Sequence, residues 1–191
     1  MRKVGTESSR SYQEKLDNGF FQKYMSGNGL EIGYAGYTPG IVPILETAIG
    51  VDIEYPGYDG RTLPFPDGSQ DYVYSSHVLE HIEDYDWAIN EWWRVLKIGG
   101  HIVIVVPHQY LYEKKKQPPS KFNGDHRRFY TPAKLLAEIE KCLQENSYRV
   151  RLLEDNDKGY DYTIPPQKHS AGAYEITLVL EKITITNWRL L

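Results

Sequence analysis

The chain has 191 residues, 40% of them hydrophobic and 25% charged, and a formal net charge of -4. That length supports one buried core, so residues 1–191 are expected to form a single domain, and the composition excludes a largely disordered chain. The acidic balance gives no overall attraction to nucleic acid or to an anionic membrane, and no apolar run approaches the roughly 20 residues that cross a bilayer.

From the N-terminus, Tyr12, Leu16, Phe20 and Tyr24 fall four apart with Phe21 and Met25 beside them. This spacing predicts an amphipathic helix over residues 11–27, weakened at Gly19. Leu30-Glu31-Ile32 reads as a short strand entering the turn Gly33-Tyr34-Ala35-Gly36. Residues 48–53 form a second buried strand with Asp52 near its end. Asp71–Ser75 begins a third. Trp87–Lys97 predicts a helix with Ala88, Trp92 and Val95 on one face, capped by Asp84 or Asp86 and stopped by Gly99-Gly100.

Ile102–Val106 is five consecutive β-branched residues, the mark of a strand covered by helices on both faces. Residues 108–130 carry no apolar period and read as a long polar loop. Thr131-Pro132 then opens a helix whose buried face is Leu135, Leu136, Ile139, Cys142 and Leu143. Cys142 is the only cysteine, which excludes an internal disulfide and fits a reducing, cytoplasmic setting. Two strand candidates, Tyr148–Leu153 and Tyr174–Ile183, close the chain. Strands alternating with helices and ending in paired strands predict an α/β fold: a doubly wound, mostly parallel sheet with an antiparallel edge.

Such sheets bind ligands at the carboxyl ends of their strands. A first strand ending in a glycine turn and a second ending in an acid form a nucleoside site, because glycine admits the ligand to the backbone and the acid accepts from ribose hydroxyls. Here the parts are Glu31, Gly33, Tyr34, Gly36 and Asp52. Ala35 interrupts the G-x-G-x-x-G pattern, so a dinucleotide fits poorly. An ordinary tight turn and a solvated strand-end carboxylate are the plainer alternatives.

The segment Leu63-Pro64-Phe65-Pro66-Asp67-Gly68-Ser69-Gln70-Asp71, then Ser75-Ser76-His77-Val78-Leu79-Glu80-His81, then Arg94-Val95-Leu96-Lys97-Ile98-Gly99-Gly100 resembles class I S-adenosylmethionine-dependent methyltransferases. The branch it is similar to reads L-P-F-x-D-x-S-F-D, S-x-H-V-L-E-H and R-V-L-K-P-G-G. The resemblance implies S-adenosylmethionine as cofactor. It places Glu31, Gly33 and Gly36 beside the methionine part, Asp52 on the ribose, Asp59 and Gly60 toward the adenine, and Ser76 and His77 near the sulfonium. Only residues 54–59 separate the second strand from the adenine loop, and Pro39, Gly40 and Pro43 interrupt the first crossover. The first crossover helix and the second helix with its following strand are therefore expected to be trimmed.

Methyl transfer to a hydroxyl needs the acceptor aligned and its proton removed, a task suited to histidine. The candidate bases are His77, His108 and His126; His81 is read as helping to seat a helix. Asp125, Arg127, Arg128 and Tyr130 are candidate acceptor-binding groups, since arginine grips carboxylate or phosphate in a fork and aromatics stack on rings. Similar D-H-R/K-R-F-Y-T-P segments occur in methyltransferase-like proteins of surface-glycan and sugar biosynthesis, a resemblance that implies a saccharide or sugar-nucleotide acceptor. His77, His108, Asp125 and His126 lack the compact spacing of a metal site, so no metal is expected. A cofactor-binding partner subunit without catalysis is the competing class. Nucleic-acid methylation is disfavoured by the acidic charge and by the absence of an Asn/Asp-Pro-Pro-aromatic motif.

Overall fold

A computed structural model describes residues 3–186; the ends of the expected domain, residues 1–2 and 187–191, lie outside the described residues. The N-terminal helix is two helices, α1 (Ser9–Asp17) and α2 (Phe20–Tyr24). The break has a local cause: Gly19 sits at φ +74°, left-handed, and the Asn18 side chain accepts from the Phe20 N–H. The strands are β1 (Gly29–Ile32), β2 (Ala48–Val51), β3 (Gln70–Ser76), β4 (Leu96–Pro107), β5 (Tyr148–Asn156) and β6 (Glu175–Lys182), with α3 (Tyr85–Val95) before β4 and α4 (Pro132–Cys142) before β5.

They form one six-stranded sheet in the order β2-β1-β3-β4-β6-β5. The β1, β2, β3 and β4 pairings are parallel, and β6 runs antiparallel to both β4 and β5. This is the expected doubly wound sheet with an antiparallel edge. Among the described residues no helix connects β1 to β2, and neither helix nor strand lies between β2 and β3, so both trimmed crossovers are observed.

The β-branched run divides its side chains between two cores, as strand alternation requires. Ile102, Ile104 and Val106 pack with Ile89, Trp92, Leu135 and Ile139 of α3 and α4. Val103 and Val105 pack on the other face with Phe20, Phe21, Tyr24 and Met25. The aromatic N-terminal helix pair thus covers a face that the missing crossover helices leave open.

Two boundaries differ from expectation. Helix α3 ends at Val95, and Gly99-Gly100 lie inside β4, where Gly99 at φ +81° accompanies a register shift against Gln70–Tyr72. The 108–130 segment is not a solvated loop throughout. Gln109–Glu113 makes one wide helical turn, with Gln109, Leu111 and Glu113 buried. Thr131 caps α4 as expected, its Oγ1 accepting from the Lys134 N–H at 3.3 Å. No described helix is long and apolar enough to cross a membrane.

Candidate active site

The carboxyl ends of β1, β2 and β3 carry the glycine turn, Asp52 and Ser76-His77 on one edge of the sheet. Gly33 takes φ +70°, and a Cβ there would collide with Val78; at Gly36 it would collide with the Tyr34 ring. Ala35, at the interrupted glycine position, adopts φ +61° like the glycine it replaces. Asp52 steadies the turn by accepting from the Ala35 N–H at 3.1 Å and from the Ile53 N–H at 2.8 Å. Tyr34 lies across β2 so closely that any side chain at Gly50 would strike its ring. A nearly buried Glu31 accepts from Ser8 Oγ and the Ile44 N–H, joining the turn to the N-terminus.

Two cavities adjoin this turn. One of about 200 Å³ is lined by Tyr34, Gly36, Gly50, Asp52 and Tyr55. The other, about 260 Å³, is lined by Gly33, Ala35, Ser76, His77 and the N-terminal Glu7 and Ser8. A strand-end carboxylate in the first and glycine backbone with a serine in the second suit a ribose and a polar amino-acid tail respectively. This donor set fits S-adenosylmethionine.

Asp59 and Gly60 stand apart from these cavities. The exposed Asp59 carboxylate accepts from the Arg61 and Thr62 N–H groups at 2.9 and 2.7 Å, which holds it below the usual carboxylate range. Gly60 lines a separate groove with Trp87. Beside them, one arginine organises the whole Leu63–Asp67 loop. Arg94 donates to the Leu63 and Phe65 carbonyls at 3.0 and 2.9 Å, and to Asp67 and Glu91 carboxylates at 2.5 and 2.6 Å; Glu91 also accepts from the Leu63 N–H at 2.7 Å. The first and third signature segments are thus two halves of one clamp.

Of the candidate bases, the structure brings only His77 to the cavity. It is buried at φ +54°, a strained conformation for a residue with a side chain, and its Nε2 pairs with Glu175 Oε1 at 3.1 Å. Burial alone would lower its pKa; the hydrogen bond to Glu175 and the charges of Glu80 and Glu175 raise it. Glu175 lies between His77 and the buried Lys15, whose Nζ is 3.8 Å away. Against burial, these two partners hold Glu175 below the usual range.

His108 is built into the scaffold: its Nδ1 accepts from the Tyr110 and Leu111 N–H groups at 3.1 and 3.3 Å, and its Nε2 lies 3.5 Å from Asp155. Burial lowers its pKa. His126 is buried, its Nδ1 paired with Glu113 and its ring 4.7 Å from that of His81. Neither lines the two cavities at the glycine turn.

The acceptor-binding candidates divide in the same way. Arg128 donates to the Ile82 carbonyl, and to that of Glu83 at 2.7 Å, and stacks 4.3 Å above the Tyr85 ring. Tyr130 is buried with its hydroxyl 3.0 Å from Glu138, and burial drives its pKa far upward. Both fasten the loop to α4 and the turn before α3. Only Asp125 and the Arg127 side chain remain exposed, while the Arg127 N–H is bonded to the Glu80 carbonyl at 2.7 Å. Sequence reading missed Glu175, Glu80, Glu113 and Lys15. Glu80 stood inside a quoted segment, and Glu175 is a charge directly before the largely apolar run Ile176–Leu180, the one available signal.

Residues 18–104 match a family model described as a methyltransferase domain. A demethylmenaquinone methyltransferase of Thermus thermophilus is 32% identical over 80 residues, which cover 40% of this chain and 36% of that protein. A ubiquinone/menaquinone biosynthesis C-methyltransferase of Hahella chejuensis is 36% identical over 62 residues, 32% of this chain and 25% of that one. The match thus spans about a third or less of these curated relatives. The crystal structure of a SAM-dependent methyltransferase from Aquifex aeolicus superposes with a TM-score of 0.55 at 14% identity, covering 92% of this chain and 93% of that one. The chain has the fold of S-adenosylmethionine-dependent methyltransferases and matches a methyltransferase domain over residues 18–104, and S-adenosylmethionine is the cofactor that they imply.

Proposed function

We propose that the protein transfers the methyl group of S-adenosylmethionine to a small planar aromatic or quinol-type acceptor. The observation that carries this reading is the aromatic cluster next to His77, whose ring lies 6.5 Å from that of the buried Tyr174. Tyr112 lies at the centre of it, with ring centroids 4.9 Å from Tyr174, 5.4 Å from His169 and 5.9 Å from Phe122, and Phe122 lies 5.3 Å from His169. The members that keep solvent exposure, Tyr112, Phe122 and His169, offer a flat conjugated ring stacking and edge contacts. Two curated relatives act, by their names, on demethylmenaquinone and in quinone biosynthesis, which agrees with such an acceptor.

The saccharide reading rested on the segment carrying Asp125, Arg127, Arg128 and Tyr130; the polar groups of Arg128 and Tyr130 are spent inside the fold, which leaves Asp125 and Arg127 to support it. A partner subunit without catalysis is also less favoured, because Gly33, Gly36, Asp52 and Ser76 line the cavities at the turn and His77 is held in a strained, paired state beside them. In the proposed reaction His77, backed by Glu175, takes the acceptor's proton as the carbon or oxygen attacks the methyl. The test is formation of S-adenosylhomocysteine with a panel of hydroquinones, catechols and sugar nucleotides. Turnover confined to the aromatic acceptors is expected. Turnover confined to the sugar nucleotides overturns the acceptor class, and S-adenosylmethionine consumption by neither overturns the reading as a whole.

A further inference from the structure

Behind His77 lies a group of side chains, Glu80, His81 and His126, that have no direct part in the proposed proton transfer. Glu80 is fully buried, and neither of its carboxylate oxygens has a hydrogen-bond partner. A buried carboxylate left so is rare in folded proteins and calls for a cation or a proton. Around its Oε1, His77 Nδ1 stands at 3.7 Å on the cavity side, and His81 Nε2 and His126 Nε2 both stand at 3.9 Å. One ligand atom from each of Glu80, His81 and His126 lies within 4.8 Å of the others.

We propose that Glu80, His81 and His126 bind a divalent transition-metal ion of the zinc class, fastening the 108–130 loop to the turn after β3. Two imidazoles and one carboxylate are the ligand set of open, three-ligand zinc sites. In a tetrahedral site ligand atoms lie about 3.4 Å apart, so side-chain rotations that close separations of up to 4.8 Å bring these three into the shell.

The second, independent observation is the hydrogen bond on the far side of His126. Buried Glu113 holds Nδ1, which fixes the proton there and leaves the Nε2 lone pair directed at Glu80 and His81. A carboxylate on the remote nitrogen is the usual support of a metal-bound histidine. His81 is the most exposed member, its side chain 33% accessible, so the site opens to solvent on that side.

The test uses the full chain, stripped with a chelator and titrated with Co²⁺ alone. One equivalent is expected to give visible absorption bands, which Zn²⁺ then displaces. Glu80→Gln and His81→Asn, the latter at a partly exposed position, should each remove the bands, and Glu113→Gln should weaken binding about 10- to 100-fold. His169→Asn should leave the stoichiometry unchanged. Absence of a stoichiometric site, or bands that persist in His81→Asn, overturns the proposal. S-adenosylmethionine titrated into the same samples separates the two readings. Cofactor binding without cobalt sinks only the metal site, and cobalt without cofactor sinks only the proposed reaction.

Discussion

The turn after β1 and the cluster after β3 both border the cofactor cavity, yet they are organised in opposite ways. The first is held by backbone: left-handed residues at Gly33 and Ala35 and a carboxylate accepting an N–H from 17 positions earlier. The second is held by ionisable side chains drawn from far apart, as in His77 and Glu175, which are 98 positions distant. A backbone-built site is sensitive to φ and tolerant of charge. A site built from buried charges is the reverse, since removing one partner leaves another uncompensated.

The largest expected effect therefore falls on the cluster. Glu175→Gln strands Lys15 and His77 together and should cost about 3–4 kcal/mol in a urea unfolding measurement. A loss below 1 kcal/mol would mean that the pair is not buried as charges. Next comes the Arg94 clamp, which joins local and distant segments. Arg94→Ala should lower stability by about 2 kcal/mol and loosen the Leu63–Asp67 loop to proteolysis, because several carbonyl and carboxylate bonds vanish at once. Asp52→Asn should weaken S-adenosylmethionine binding about 10- to 100-fold by calorimetry while leaving the unfolding midpoint nearly unchanged. An equal loss of stability would blur the contrast between the two regions.

Two smaller effects sharpen it. Ala35→Gly should stabilise the protein by about 0.5–1 kcal/mol, since the left-handed strain relieved exceeds the added chain entropy of glycine. Destabilisation would show that the alanine methyl packs usefully. The hydrogen bond from Arg94 holds Glu91 below its ordinary value near 4.5. A depressed carboxylate contributes stability above its unfolded value and loses it as pH falls through the folded one. The stability difference between wild type and Glu91→Gln should thus be constant above about pH 5 and shrink toward pH 3 in urea titrations.

Much of the fold was legible because it follows from short-range rules. Ile102–Val106 could only be a doubly covered strand, Thr131-Pro132 only a helix start, and residues 54–59 were too few for the missing helix and strand. The helix that became two was marked by Gly19 but not divided, because the Asn18 cap is a matter of geometry. At the site, Gly33 and Asp52 were legible from their strand ends. His108 and His126 looked as reactive as His77, because a histidine's letter does not reveal whether its nitrogens are already engaged by Leu111 or by Glu113.

By itself, the order of strands, turns and signature segments determined the α/β fold, its trimmed crossovers and the kind of cofactor, since each depends on patterns local to the chain. Tertiary structure alone decided which ionisable groups face the cavity, which support the loop, and that Glu80, Glu113 and Glu175 share one buried space. The physical reason is that burial and charge pairing arise between residues distant in sequence, and those interactions set what an ionisable side chain can do.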